Sequence, residues 1–323
     1  VSAEKLGLIA REDARARAER ILESLDRAAK ANSSMLPPSN VDTSAPGRPR
    51  NDFNSCDAGR LLSALSALAA SKVDPGGTAA LVASWELERT VTDGMFHSVR
   101  YGNPYVTHAS HCAHYASRAF AGWGIDAWSP YERAMVGKTE ADARMGLLYG
   151  AKAFGPIGAE PLLLEAIEFG YSRPAVYLAK VLFGAQMEAH AKTGGMYCVS
   201  EGPLPENPWF SYQGLDLADA AEPWKVTAID PSPAYRSAEF RKKNLVTSTK
   251  AAFLWAACHP HPYSRKLLDY VRSRARRAEG GFSAGIYMET GVATENYTDV
   301  NTNGIILQCV ARMLSEPGVA GPR

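Results

Sequence analysis

EPLLLEAIEFGYSRPAVYLAKVLFGAQMEAHA, residues 160–191, reads as two helices in succession. Pro161 suits the first turn of a helix, where its missing N–H costs nothing, and this short apolar segment ends at Gly170. A longer helix follows from Arg173 to about Ala191. Working outward, the same periodicity recurs along most of the chain. Residues 4–32 carry Ile9, Ala16, Ile21 and Leu25 on one face, and Ala58, Leu61, Leu62, Leu65 and Leu68 repeat at helical spacing. Further helices are expected over about 78–91, from near His108 to Gly124, and after Thr139 and Asp142, which have capping-box spacing. Others fall at about 235–258, 262–277 and 302–315, the last with Ile305, Ile306, Cys309, Val310 and Met313 on one face.

Two stretches break the pattern. Residues 32–52 hold Pro37, Pro38, Pro49 and Gly47 and read as a connecting loop. Residues 194–235 crowd Gly, Pro, Trp, Tyr and acids together without period, and long irregular segments inside a compact domain are usually functional. The expectation is roughly ten or eleven helices and few strands, in one all-α domain over residues 1–323. No common solenoid repeat is present. About six helical hairpins leave an open superhelix or a closed double ring, and periodicity does not choose between them.

Composition narrows the partners. Lys+Arg number 35 and Asp+Glu 34, so the net charge of +1 creates no field for nucleic acid or anionic lipid. RSRARR (272–277) is a local basic run at a helix end, where cations suit the dipole. No apolar run reaches the roughly 20 residues of a membrane span. Cys56, Cys112, Cys198, Cys258 and Cys309 are scattered without a CxxC pair, which fits neither a disulfide scaffold nor a zinc site. His108, His111 and His114 would spread around a helix rather than share one ion, and no HExxH accompanies them. His259 and His261 flank Pro260 in an expected turn. Phosphate loops, dinucleotide fingerprints and GxSxG elbows are absent, so neither cofactor nor metal is expected.

CDAGRLLSAL (56–65), HYASRAFAGWGID (114–126), EPLLLEAIEFG (160–170), AQMEAHAKTGGMYCVSEGPLPENPWFSYQG (185–214), TKAAFLWAA (249–257), GGFSAGIYMETG (280–291) and VNTNGIILQ (300–308) occur in a collinear order. Together they resemble a bacterial family of unknown function, DUF3131. The resemblance implies an (α/α)6-type toroid of helical hairpins, related to glucoamylase-like proteins and to enzymes that cleave β-glucans. It also implies export to the periplasm or beyond, although no signal peptide stands at Val1. The family pattern extends upstream of Lys5–Ile9, so its N-terminal part is expected to be incomplete here.

Candidate chemistry then follows from residue types. Asp57, His108, His111, Glu160, Ser248 and Asn301 are expected at or near helix starts, where free N–H groups favour carboxylates. Glycoside hydrolysis needs two carboxyl groups, one protonated and one ionised. Glu160 and Glu201 are the preferred pair, with Asp57 and Glu289 as further candidates. Giving the acid role to Glu160 and the base role to Glu201 is a starting choice that the sequence does not decide. Glu206 reads as a loop anchor. Tyr101, Trp209, Tyr212, Trp224 and Tyr287 offer flat faces for sugar rings, while Trp123, Trp128 and Trp255 read as core. Arg60, Asn301 and Asn303 are candidates for bonding substrate hydroxyls, with helix capping as the alternative for the asparagines.

The leading functional expectation is a glycoside hydrolase or transglycosylase acting on a glucan or other exopolysaccharide. A non-catalytic glycan-binding accessory protein of polysaccharide synthesis or export is the alternative. A polysaccharide lyase is the third reading, and would use Tyr or His as base beside a uronate.

Overall fold

Side-chain caps, prolines and tight turns set the element boundaries in the computed structural model, which describes residues 1–45, 47–228, 230, 232–294 and 299–315. The chain divides into two compact units, Val1–Thr139 and Glu140–Arg323.

The first unit begins with a short helix α1 (Ser2–Lys5) and the long α2 (Arg11–Ala31). α2 buries Ala14, Ala18, Leu22, Ala28 and Ala29 on one side. α3 (Ser55–Ala69) starts where the Asn54 side chain accepts from the N–H groups of Cys56 and Asp57. After α4 (Thr78–Ala83) come three antiparallel strands, β1 (Val91–Thr92), β2 (Met95–Arg100) and β3 (Asn103–Val106). The β2–β3 hairpin turns through Tyr101 and Gly102, both at positive φ, so that Arg100 faces Asn103. α5 (His111–Ala121), capped by Ser110, and α6 (Pro130–Met135), capped by Ser129, complete the unit.

α3 and α5 pack in the same direction. Cys56 lies by Ser110 near both starts, and the Leu62 carbonyl, midway along α3, accepts from the Trp123 indole just past the end of α5. Gly59 allows the approach, since a Cβ there would sit 2.8 Å from Ala116. Phe53, Leu62, Phe96 and Phe120 form the buried centre of this unit.

The second unit contains α7 (Glu140–Ala153), α8 (Ala159–Glu168) and α9 (Arg173–Thr193). Next come the antiparallel strands β4 (Gly202–Pro203), β5 (Phe210–Leu215) and β6 (Trp224–Thr227). α10 (Ala238–Asn244) leads into β7 (Val246–Ser248), and α11 (Thr249–Cys258) follows without a break. α12 (Pro262–Arg274), β8 (Gly285–Tyr287), which pairs with β7, and α13 (Val300–Ser315) end the described chain. α8 pairs with α9 as a helical hairpin, and α11 packs against α8, α12 and α13. Leu163, Leu178, Leu182, Leu254, Trp255 and Ile305 are buried here.

The all-α toroid expected from the sequence is overturned. Helix takes 53% of the described residues, but extended pairing takes 12%, in three small antiparallel sheets, so the fold is mixed α and β. The missed strands have physical reasons. In β5 the buried positions include Ser211 and Gln213, while the aromatic rings of Phe210 and Tyr212 turn outward. This inverts the pattern by which a half-buried strand is recognised. β7 is only three residues long and runs straight into an apolar helix, so its pattern merges with that of α11.

The helical expectations fared better at their centres than at their ends. Residues 4–32 split into α1 and α2, and 78–91 shortens to α4 plus a 3-10 turn at Leu87–Thr90. Residues 235–258 divide into α10, β7 and α11 after a 3-10 turn. Among the described residues no helix is long and apolar enough to cross a membrane.

Candidate functional site

In the second unit, residues 198–201 thread between the starts of two helices. Ser248, the cap of α11, donates its N–H to the Cys198 carbonyl at 2.7 Å. Ala159, the first residue of α8, donates to the Val199 carbonyl at 3.1 Å. Gly158 packs beside them at ordinary contact distance, since a Cβ there would stand 3.6 Å from the Ser200 Cα and 3.9 Å from the Glu201 nitrogen. The chain from 198 to 201 thus ties the N-termini of α8 and α11 to one place.

Glu160 occupies the first turn of α8 and Lys250 the first turn of α11, and their side chains form an ion pair. The two side chains are only 7% and 2% exposed. A carboxylate suits the partial positive charge of a helix start, but a buried ammonium there does not. Burying both charges also costs more than an apolar pair of the same shape would. Neither helix-end electrostatics nor burial favours a lysine at position 250.

The surroundings are polar as well. The Gln186 side-chain oxygen accepts from the Val199 N–H at 3.2 Å, while its nitrogen is buried without a partner. The hydroxyls of Ser200 and Thr249 are buried and unpartnered too. Native proteins leave few buried polar atoms unmet, so these three, on the 198–201 segment, its partner Gln186 and the start of α11, make the junction a candidate for bonding a polar group. Gln213 closes the far side: its amide donates to Ser211 and to the Asn244 carbonyl, and its oxygen accepts from Val246 N–H. Gly214 admits the adjoining turn, because a Cβ there would lie 2.6 Å from the Ile157 carbonyl.

The family model described as "Protein of unknown function (DUF3131)" matches residues 1–314. The chain belongs to the DUF3131 family. No curated protein and no solved structure matches it.

In this DUF3131 chain the expected site residues of the second unit separate into two groups. Glu160 and Glu201 share the strand-and-helix junction just described, with Glu201 half-buried. Trp209 stands just before β5 and Tyr212 within it, 64% and 37% exposed, and Trp224 packs its ring 5.1 Å from Tyr197. Tyr287 lies in β8, opposite Val246. Glu289, by contrast, is exposed and bonded to Lys242 at 2.7 Å. Glu206 pairs with Lys243 on the surface. Asn303 is structural: its amide donates to the carbonyls of Phe282 and Asp299 and accepts from the Phe282 N–H. Asn301 is exposed in the first turn of α13.

In the first unit, Asp57 is in the opening turn of α3, but Asn54 and not Asp57 supplies the cap. Its carboxyl reaches solvent while desolvation by the surrounding protein raises its pKa above the usual 3.8. Arg60, one turn on, donates to the Tyr115 hydroxyl at 2.9 Å and lies over the same ring. Tyr101 is 85% exposed at the hairpin tip. The histidines have separate partners, His111 with the Tyr131 hydroxyl and His114 with that of Ser129, both at 2.6 Å. Trp255 is core and Trp123 half-buried, but Trp128 is 43% exposed beneath the Arg133 guanidinium. Among the described residues no group of three or more His, Cys, Asp or Glu is placed to hold a metal ion.

Lys250, Ser200 and Gln186 belong to the candidate site and are not among the residues expected from the sequence. The available signal was a single lysine inside the apolar run TKAAFLWAA.

Proposed function

We propose that this chain acts on a polysaccharide or oligosaccharide as a glycoside hydrolase or transglycosylase, with Glu160 and Glu201 as its two carboxylates. The observation that carries the reading is the contact of the Val199–Glu201 backbone with the Gly158–Ala159 turn, which brings two carboxylate residues distant in sequence to one junction. Exposed aromatic faces at Trp209 and Tyr212 on the following segment suit sugar rings. The unpartnered Ser200 and Thr249 hydroxyls and the Gln186 amide suit polar groups of a ligand.

The ion pair supports the opposite roles to those first assigned. An ammonium in contact is the partner of an anion, so Glu160 serves as base and takes a proton from the attacking water. Glu201 serves as acid and delivers a proton to the departing glycosidic oxygen, while the water oxygen bonds to the anomeric carbon. This division of labour inverts the anomeric centre and needs about 6.5–9.5 Å between the carboxyl groups. Transfer would use a sugar hydroxyl in place of water. The exported location implied by the family resemblance belongs to the same proposal, and cell fractionation checks it.

The near-complete burial of Glu160 favours one competing reading, a glycan-binding protein without turnover. A panel of bacterial and plant glycans separates the two, scored for new reducing ends and for ultraviolet absorbance. New reducing ends without absorbance, lost in folded Glu160→Gln and Glu201→Gln, are expected. Binding of a glycan with no turnover, unchanged in both variants, would establish the binding protein instead, and an absorbing product would indicate a lyase.

A further inference from the structure

Just before Glu160 the chain borders a second feature. Pro156, Asp216, Lys225, Thr227, Arg236 and Arg241 line a cleft of about 330 Å³ beside β6 and α10. Ile157 pairs with Leu215 at its edge, so the cleft adjoins the turn that begins α8. Three of these six side chains are cationic and one is acidic. Two of the cations are held in place from outside the lining: Lys225 by Asp219 at 2.6 Å, and Arg241 by Glu222. Their side chains are about one-fifth exposed, which keeps the charged heads partly desolvated. Arg236 has no carboxylate partner among the described residues. The one lining acid, Asp216, accepts from the Ala218 N–H at 2.7 Å.

We infer that this cleft is a subsite for an acidic sugar, a ring carrying a carboxylate or phosphate substituent. The inference rests on the glycan reading above and names its substrate class. A planar guanidinium without a carboxylate partner bonds an oxyanion through two parallel N–H groups, and Arg241 and Lys225, whose charges Glu222 and Asp219 balance, add N–H donors already fixed in direction. A neutral sugar offers the Arg236 guanidinium hydroxyl acceptors but no counter-charge. The Asp216 carboxylate opposes the anion and so weakens it, which gives the site a handle of opposite sign.

The test follows the backbone amides of residues 225–228 by NMR in the full chain, titrated separately with D-glucuronate, D-glucose 6-phosphate and D-glucose. Saturable shifts with one or both acids, but not with glucose, are expected. Arg236→Gln lies on the surface and leaves the fold intact, and it should weaken acid binding about tenfold. Asp216→Asn should strengthen it. The stronger of the two acids identifies the substituent. No shift with either acid, equal shifts with glucose, or unchanged affinity in Arg236→Gln would each overturn the subsite. If the acids bind as expected while no glycan is turned over, the hydrolase reading fails and the subsite stands.

Discussion

Two lysine–glutamate pairs in the second unit have the same chemistry at different depths. Lys242 and Glu289 meet at 2.7 Å with side chains 73% and 41% exposed, whereas Lys250 and Glu160 are closed off from water almost entirely. The exposed pair raises the Lys242 pKa, chiefly through its hydrogen bond to Glu289, yet solvent on both sides leaves little net stability in it. The buried pair has lost its hydration and must recover that cost from one contact. Depth, rather than the presence of a pair, separates a surface contact from a site worth explaining.

The comparison can be broken most easily at Lys250. Lys250→Met leaves the Glu160 carboxylate buried and alone, and should cost about 3–5 kcal/mol in chemical denaturation. A loss no larger than that of a surface variant would show that the pair is not held as described. Asn303→Ala supplies a middle case, in which uncharged backbone groups of Phe282 lose their partner. The expected cost is about 1–3 kcal/mol by the same assay. Lys242→Ala should leave stability close to that of the parent, and any difference should shrink further as salt is added.

The smallest effect is expected at Asp57 in the first unit and is visible only against pH. Its folded-state pKa is raised by desolvation, so the native chain keeps a proton that the unfolded chain has already released. Stability therefore falls as pH rises from about 3.8 through the folded-state value, and the loss persists above it. Asp57→Asn should flatten that part of the curve. A steeper fall in the variant would mean that the carboxylate form is the favoured one.

The sequence reading reached different depths in different elements. Glu160 was legible because Pro161 marks a helix start and a glutamate there is conspicuous. Glu201 was legible because it lies in the long aperiodic stretch. Lys250 was not, since it looks like one polar interruption in an apolar helix, and its partner is remote in sequence. The aperiodic stretch also concealed β5, whose inward positions carry Ser211 and Gln213 to serve the backbone of Asn244 and Val246. Asn303 was visible as a hydrogen-bonding residue, but the identity of its partner, the backbone of Phe282, depends on a contact that no local pattern encodes. Helices are written in short-range periodicity, whereas ion pairs and small sheets are written in which distant segments meet.

On the reading proposed above, Glu160 and Lys250 are kept together for function and not for folding. The most direct measurement replaces both at once, Glu160→Leu with Lys250→Met, and compares stability with glycan turnover in the same preparation. A folded protein at least as stable as the parent, with turnover abolished, is expected. A double variant that still turns over the glycan, or one that loses as much stability as Lys250→Met alone, would contradict it.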